Sequence, residues 1–300
     1  MDMGLVLTGV TKRFGDLTAV NRLSFVYDKP GVFGLLGTNG AGKTTTIRMI
    51  LGILKQDEGE ITWNGAPVER ERVRFGYLPE ERGLYPKTKV IDQLVYFACL
   101  KGMSRRDALA AAQSWLERLS AGEYRDKPAE QLSKGNQQKI QFICALINRP
   151  ELLILDEPFS GLDPINTDLF KSVIYELVEA GTSVIMSSHQ MSTVEEFCED
   201  ITLLKDGLTI LSGNLRQIKK SYGRTNLFLS CDRDIAEMAA EEGLAIKRRT
   251  PEGCELRITA EEQAYRLLRR LLSENAAVDR FELREPSLHE IFVEKAGGAQ

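Results

Sequence analysis

Residues Val32 to Leu36 form a short apolar run flanked by glycine, and they lead directly into Gly37-Thr38-Asn39-Gly40-Ala41-Gly42-Lys43-Thr44. The apolar run reads as a buried strand, and the stretch from Lys43 to about Leu54 reads as a helix. Glycines let the chain turn sharply enough for backbone amides to converge on one point. The helix that follows adds the positive end of its dipole. Strand, glycine loop and helix in this order, with the pattern G-x-x-x-x-G-K-[ST], make a phosphate cradle. Gly37, Thr38, Asn39, Gly40, Ala41, Gly42, Lys43, Thr44 and the following Thr45 are therefore the candidate nucleotide-binding residues. Lys43 reaches the terminal phosphates in this reading, and the Thr44 hydroxyl coordinates Mg²⁺. A glycine turn with a surface lysine is the plainer alternative, and the flanking strand and helix argue against it. The loop alone specifies only a nucleoside phosphate.

A second apolar run, Leu152-Leu153-Ile154-Leu155, ends abruptly in Asp156-Glu157. Charges cannot sit within a buried strand, so both carboxylates are expected at its exposed C-terminal end, where open α/β sheets place their ligands. Asp156 suits the Mg²⁺ shell. Glu157 suits the general base that polarises an attacking water. A helix cap or turn after the strand is the bland alternative.

Bulk properties narrow the partners. The chain has 300 residues, enough for one large domain or two moderate ones. Lys and Arg total 39 against 43 Asp and Glu, a balance that argues against nucleic acid as the main partner. No apolar run approaches the roughly 20 residues of a spanning helix. The opening Met1-Asp2-Met3 lacks the pattern of a signal peptide. The five cysteines, Cys99, Cys144, Cys198, Cys231 and Cys254, are scattered without a Cys-x-x-Cys pair, and they read as reduced cysteines in a cytosolic protein.

Along the chain, extended segments come first: Leu5 to Phe14, then Ala19 to Tyr27 after a Gly15-Asp16 turn. Helical periodicity marks Val90–Leu100, Arg105–Leu119 and Asn136–Ile147. Strand and helix then alternate through Leu152–Leu155, Ile165–Glu179, Ser183–Ser187, Val194–Cys198 and Ile201–Lys205, which implies a mainly parallel sheet covered by helices. A boundary is expected near Ser221–Asn226, giving domains at 1–222 and 226–300. The second domain reads as strand, helix, two strands, helix, strand and helix, a small α+β sandwich.

Leu132-Ser133-Lys134-Gly135-Asn136-Gln137 opens a helix just ahead of the acidic strand. It resembles the signature of the ABC (ATP-binding cassette) family, usually Leu-Ser-Gly-Gly-Gln. Ser133 and the Gly135 amide make a second anion-binding helix start, although an ordinary serine cap explains the segment in isolation. Further resemblances follow in order over most of Leu5 to Gly213. Ser160-Gly161-Leu162-Asp163 is similar to the family's D-loop, which links two ATP sites across a dimer. His189 is similar to the catalytic switch histidine that contacts the γ-phosphate and orients the water. Phe14 resembles the aromatic that stacks on adenine, with a core aromatic as the alternative.

The resemblance implies an α/β phosphate-loop NTPase cassette: an antiparallel β subdomain, a RecA-like parallel-sheet core and a helical subdomain at about 88–148. It implies an ATPase that uses ATP and Mg²⁺, pairs with a second ATP-binding subunit, and drives a transmembrane permease as a peripheral subunit on the cytoplasmic face of the membrane. The signature of each copy caps the ATP held by the other. Two departures stand out. Glu80 occupies the position of a glutamine that touches Mg²⁺ and the attacking water, and Lys134 and Asn136 replace glycine and glutamine of the signature. Both, with the ending Glu285-Pro286-Ser287-Leu288-His289-Glu290-Ile291-Phe292, resemble a bacterial branch serving sodium or drug exporters that carries a C-terminal extension. The permease is expected to dock near Leu84 to Val95, where Leu84, Tyr85 and Pro86 lie beside Lys87 and Lys89; a mobile surface loop is the plainer reading. A soluble cassette ATPase of translation or DNA repair would show a second cassette or a long coiled coil. A regulatory cassette would have lost Glu157 or His189, and a phosphate-loop kinase has no use for the signature.

Overall fold

The computed structural model describes residues 4–69, 73–81 and 83–297; Met1, Asp2 and Met3 lie outside them. Its elements run β1 (Leu5–Phe14), β2 (Leu17–Tyr27), β3 (Gly31–Gly37), α1 (Lys43–Ile50), β4 (Glu58–Trp63), β5 (Ala66–Pro67) and β6 (Phe75–Leu78). Next come α2 (Val90–Leu100), α3 (Arg105–Arg118), α4 (Lys134–Leu146), β7 (Leu152–Asp156), α5 (Pro164–Glu179), β8 (Ser183–Ser188), α6 (Met191–Phe197), β9 (Asp200–Lys205) and β10 (Leu208–Asn214). The C-terminal part holds α7 (Leu215–Tyr222), β11 (Asn226–Cys231), α8 (Ala236–Glu241), β12 (Ala245–Thr250), β13 (Gly253–Arg257), α9 (Glu261–Ser273), β14 (Val278–Arg284) and α10 (Leu288–Gly297).

Two sheets build the first unit, residues 4–212. One has the order β2-β1-β4-β5, and its printed pairings are antiparallel. The other has the order β10-β9-β3-β8-β7-β6, and β3, β6, β7, β8 and β9 run parallel. One face of each sheet, with α1, closes on a single core that includes Leu7, Leu23, Phe25, Phe33, Ile47, Ile50 and Ile154. Phe25 stacks on Phe33 at 4.6 Å between ring centroids. Each such side chain, fully buried, contributes on the order of 2 kcal/mol by leaving water. The Tyr27 hydroxyl ties the sheets together, accepting from the Val184 amide at 2.8 Å and donating to the Gly31 carbonyl at 2.7 Å. Every residue of β7 is buried, and Leu152 to Leu155 form a continuous apolar run that Asp156 ends.

Helices α2, α3 and α4 pack against one another. Ser104 caps α3 by accepting from the Asp107 amide, which stops fraying at its first turn. The second unit, residues 213–297, has a four-stranded sheet in the order β12-β13-β11-β14 with antiparallel pairings. Its core packs Leu227, Leu229 and Leu256 against Ala239, Leu267 and Leu271. The units divide between Ser212 and Gly213, ahead of the Tyr222-Gly223-Arg224 break, so α7 belongs to the second.

Several boundaries differ from the sequence expectation. Helix α1 stops at Ile50 rather than Leu54 because Gly52 turns left-handed at φ 63°, and the Ile53 and Leu54 amides both return to the Arg48 carbonyl. Helix α6 spans Met191–Phe197 rather than Val194–Cys198. Strands β4, β6 and β10 were not anticipated. In β4, Glu58, Gly59 and Glu60 are all exposed, and the strand exists through its pairing with β1.

Candidate active site

Strands β3, β7 and β8 lie side by side and parallel, so their C-terminal ends open on one edge of the sheet. The glycine loop leaves β3 there. Gly42 holds φ 104°, and a Cβ on it would lie 2.5 Å from the Ala19 carbonyl oxygen, so no other residue fits. Helix α1 begins after it with no side-chain cap and no acidic residue in its first turn. Its leading amides are therefore left for an anion. Lys43 is buried, and its Nζ donates to the carbonyls of Gly37 (2.8 Å) and Thr38 (3.1 Å). A phosphate oxygen offers that ammonium a charge-assisted bond, stronger than neutral carbonyls give. Thr38, Asn39 and Gly40 are exposed at the loop crest, Ala41 is buried, and Thr45 is half-buried in the first turn of α1.

The Thr44 hydroxyl donates to Asp156 Oδ2 at 3.2 Å, and the Ser187 hydroxyl donates to Asp156 Oδ1. Asp156 is 1% exposed and Glu157 5%, so this strand end is covered rather than exposed as expected, and these partners satisfy a buried carboxylate. Glu157 follows at φ 51°, an uncommon left-handed geometry for a residue other than glycine. That turn points its carboxylate along β8. Glu157 Oε1 accepts from the His189 amide at 2.9 Å and lies 2.7 Å from His189 Nδ1; Ser188 Oγ donates to Oε2 at 3.4 Å. A carboxylate only accepts, so Nδ1 carries the hydrogen and Nε2 is left for another partner. Glu157 is buried while the His189 side chain is 49% exposed. The anticipated residues Lys43, Thr44, Asp156, Glu157 and His189 thus gather at the loop end of the sheet.

Glu80 is exposed two residues beyond β6, the edge strand next to β7, and no hydrogen bond among the described residues holds its carboxylate. Phe14 is 48% exposed at the end of β1, with Lys12 Nζ 5.5 Å from its ring centroid, so the core alternative is ruled out. Tyr77 stands near this edge, its hydroxyl pKa pushed up to about 12 by burial and by the Asp156 charge.

The second anticipated cluster lies at the start of α4. Ser133 caps that helix, accepting from the Asn136 amide at 3.3 Å. Leu132 is buried, and Lys134 is exposed. Asn136 donates to the Tyr124 hydroxyl at 2.8 Å, and Gln137 Nε2 donates to the carbonyls of Ala129 and Leu132. Gly135 sits beside Gly161 and Leu162, so this helix start adjoins the Ser160–Asp163 turn of the same chain. Asp163 caps α5, and the Asn166 amide it accepts from holds its carboxyl below the usual range. Among the described residues, no hydrogen bond links Ser133–Gln137 to the Lys43–Asp156 cluster.

The hydroxyls of Ser187 and Ser188 are site groups that residue type alone does not single out. Their signal was available: two serines ending a strand in parallel register with the acidic strand, Ser187 opposite Asp156. Of the docking candidates, Leu84 lines an apolar groove, Tyr85 is 51% exposed and stacks on Phe97, and Pro86 is exposed.

Residues 20–160 match the family model described as ABC transporter. The chain is also 49% identical over 294 residues to the uncharacterized ABC transporter ATP-binding protein YhaQ of Bacillus subtilis, covering 98% of each chain. The chain belongs to the ABC transporter ATP-binding family. As an ABC ATP-binding subunit of transporters it is an ATPase, and the soluble translation or repair alternative finds no support. The Nod factor export ATP-binding protein I of Bradyrhizobium diazoefficiens is 38% identical to this ABC subunit over 216 residues, 71% of each chain. A solved ATP-binding subunit of an ABC transporter superposes with a TM-score of 0.68 at 28% identity, covering 74% of this chain and 94% of that one. Residues 213–296 match the C-terminal domain of DrrA1-3-like ATP-binding proteins. ABC ATP-binding subunits dimerise and partner with transmembrane components.

The donors present suit Mg²⁺ bound together with a nucleotide. Thr44 and Asp156 supply two adjacent oxygens, and no cluster of three or more His, Cys, Asp or Glu forms a separate cage among the described residues. Mg²⁺ commonly takes one or two carboxylates plus phosphate and water oxygens.

Proposed function

We propose that two copies of this chain close head-to-tail around two ATP molecules and that the closure drives a permease of the exporter type. The glycine loop of each copy holds one triphosphate, and Ser133 and the Gly135 amide of the other copy cap its γ-phosphate. Phe14 stacks on the adenine ring. Thr44 and Asp156, with Glu80 nearby, would hold Mg²⁺, which neutralises phosphate charge. Glu157 takes the proton of the attacking water, and His189 keeps that carboxylate in place while its free ring nitrogen faces the γ-phosphate. Positioning and charge stabilisation carry most of such a reaction. The Ser160–Asp163 turn, packed beside Gly135, passes the state of one ATP site to the other. Export rests on the resemblance to the Nod factor export relative. No helix among the described residues is long and apolar enough to cross a membrane. In this reading a separate permease supplies the path, and the chain works at its cytoplasmic face.

The observation that carries this reading is the presence of two anion-accepting helix starts in one chain, α1 and α4, with no hydrogen bond joining them among the described residues. One ATP within one copy has no use for both. Gly135→Asp tests it. Space around Gly135 is ordinary, with its nearest neighbours 3.6 Å and 3.7 Å from an added Cβ, so the helix start tolerates a side chain. A carboxylate there repels a γ-phosphate from the opposite copy. ATP binding to the monomer should persist while hydrolysis falls on the order of 100-fold. Full hydrolysis by the variant, or lost monomer binding, counts against the pairing.

The permease is proposed to dock in the groove bordered by Leu84, with Tyr85 and Pro86 beside it. The groove has a volume of about 680 Å³. Exposed Ile53, Tyr85 and Leu100 give this part of the surface an apolar character that water does not favour.

A further inference from the structure

The walls of that groove are mostly apolar, with Leu51, Ile53, Phe75, Leu84, Phe97 and Leu100 among them. Three of its polar residues differ in their state. Arg74 is already paired with Glu151 at 2.8 Å. Lys101 is not: its Nζ donates to the Cys144 carbonyl at 2.8 Å and to Asn148 Oδ1 at 3.3 Å, both neutral, and no carboxylate pairs with it among the described residues. Gln141 is 5% exposed; its amide nitrogen donates to the Glu81 carbonyl at 3.1 Å, and its Oε1 has no partner among the described residues.

An ammonium satisfied only by neutral acceptors, at the edge of an apolar surface, gains most from a carboxylate brought to it as water leaves. Although Lys101 as a residue reaches the surface, burial around its ammonium pushes the pKa down to about 8, as expected for a charge without a counterion. An occupant without an acid would cover that charge and leave it unpaired, a costly outcome that discriminates between partners.

We infer that the groove selects its occupant by charge: the cytoplasmic segment of the permease that seats there presents apolar side chains to the walls, one Asp or Glu carboxylate to the Lys101 ammonium, and a hydrogen-bond donor to Gln141 Oε1. This rests on the groove being the docking site of the permease. A purely structural role exists for Lys101, since its bond to Cys144 closes an orphan carbonyl near the end of α4. Only the charge-selecting role is restored by a change in the partner.

The test co-expresses this chain with the multi-span protein that it serves and measures how much chain stays on washed membranes. Lys101→Glu should lower retention on the order of tenfold. Among permease variants with each loop Asp or Glu changed singly to Lys, one should restore most of the loss. A second measurement needs no variant at Lys101. Acylation of its amine at pH 8, followed by mass spectrometry, should be suppressed when the permease is bound. In parallel, Leu84→Cys is joined to the permease with a thiol cross-linker. Cross-linking without a rescuing acid, or with Lys101 still fully reactive, overturns the charge inference and leaves the docking site standing. Cross-linking only to a second copy of this chain, or none, overturns both.

Discussion

His189 Nδ1 lies 2.7 Å from Glu157 Oε1, and the same oxygen accepts the His189 backbone amide at 2.9 Å. A buried carboxylate on a left-handed residue is thereby fixed from two directions by one neighbour. The imidazole thus settles where the Glu157 carboxylate points. His189→Ala should cut ATP turnover by about 100-fold or more, the usual size of a lost acid–base arrangement. The ATP dissociation constant should change by less than about threefold, since the phosphate loop is untouched. Steady-state turnover and fluorescent-nucleotide titration read the two quantities separately. Equal loss of both would place His189 in the binding of ATP.

Gly42→Ala addresses the cradle. Its Cβ would press on the Ala19 carbonyl at 2.5 Å, on a backbone at φ 104°. The strain costs about 1–3 kcal/mol and displaces the first turn of α1. The melting temperature should fall and ATP binding should be lost. A variant with a wild-type melting curve and wild-type affinity would show that the loop does not need this geometry.

Glu80 is exposed beyond β6, and no hydrogen bond among the described residues holds its carboxylate, so its replacement should leave the fold intact. Glu80→Gln removes a charged oxygen donor and should raise the half-saturating Mg²⁺ concentration several-fold while ATP binding is retained. Unaltered Mg²⁺ titration together with unaltered transport removes Glu80 from the metal site.

Lys101 is expected to titrate near pH 8, below the ordinary lysine value of 10.5. Burial disfavours its charged form, so the folded chain releases this proton first as pH rises. Between about pH 8 and 10.5 the unfolded chain binds the extra proton, and by linkage folding gains stability from this group across that window. Lys101→Met should therefore show a stability advantage below pH 8 that shrinks toward pH 10.5. The rate of amine acylation at Lys101 against pH gives the midpoint directly, and a midpoint at the ordinary lysine value would refute the burial.

The parts of the fold that could be read from the chain are those that local chemistry dictates. The Leu152–Leu155 run could be only a buried strand, and Gly37 to Thr44 could be only a sharp turn into a helix. Helix α2 appears at its anticipated limits, Val90–Leu100. Strand β4 was not legible, because its exposed Glu-Gly-Glu start gains its meaning only by pairing with β1. In the site, charged and catalytic residues announced themselves by type and spacing. Ser187 and Ser188 did not, because their hydroxyls become site groups only when β8 lies alongside β7 and brings them to Asp156 and Glu157. Lys101 was silent for a similar reason: its neutral partners, Cys144 and Asn148, lie more than forty residues away in sequence.

The shared ATP seam is tested most directly by the solution mass of Glu157→Gln with saturating ATP and Mg²⁺. Loss of the general base should leave nucleotide binding in place and stop the hydrolysis that reopens the pair. The account predicts a species of twice the chain's mass that dissociates when ATP is removed. A variant that binds ATP and remains a monomer, alone and beside its permease, would contradict it.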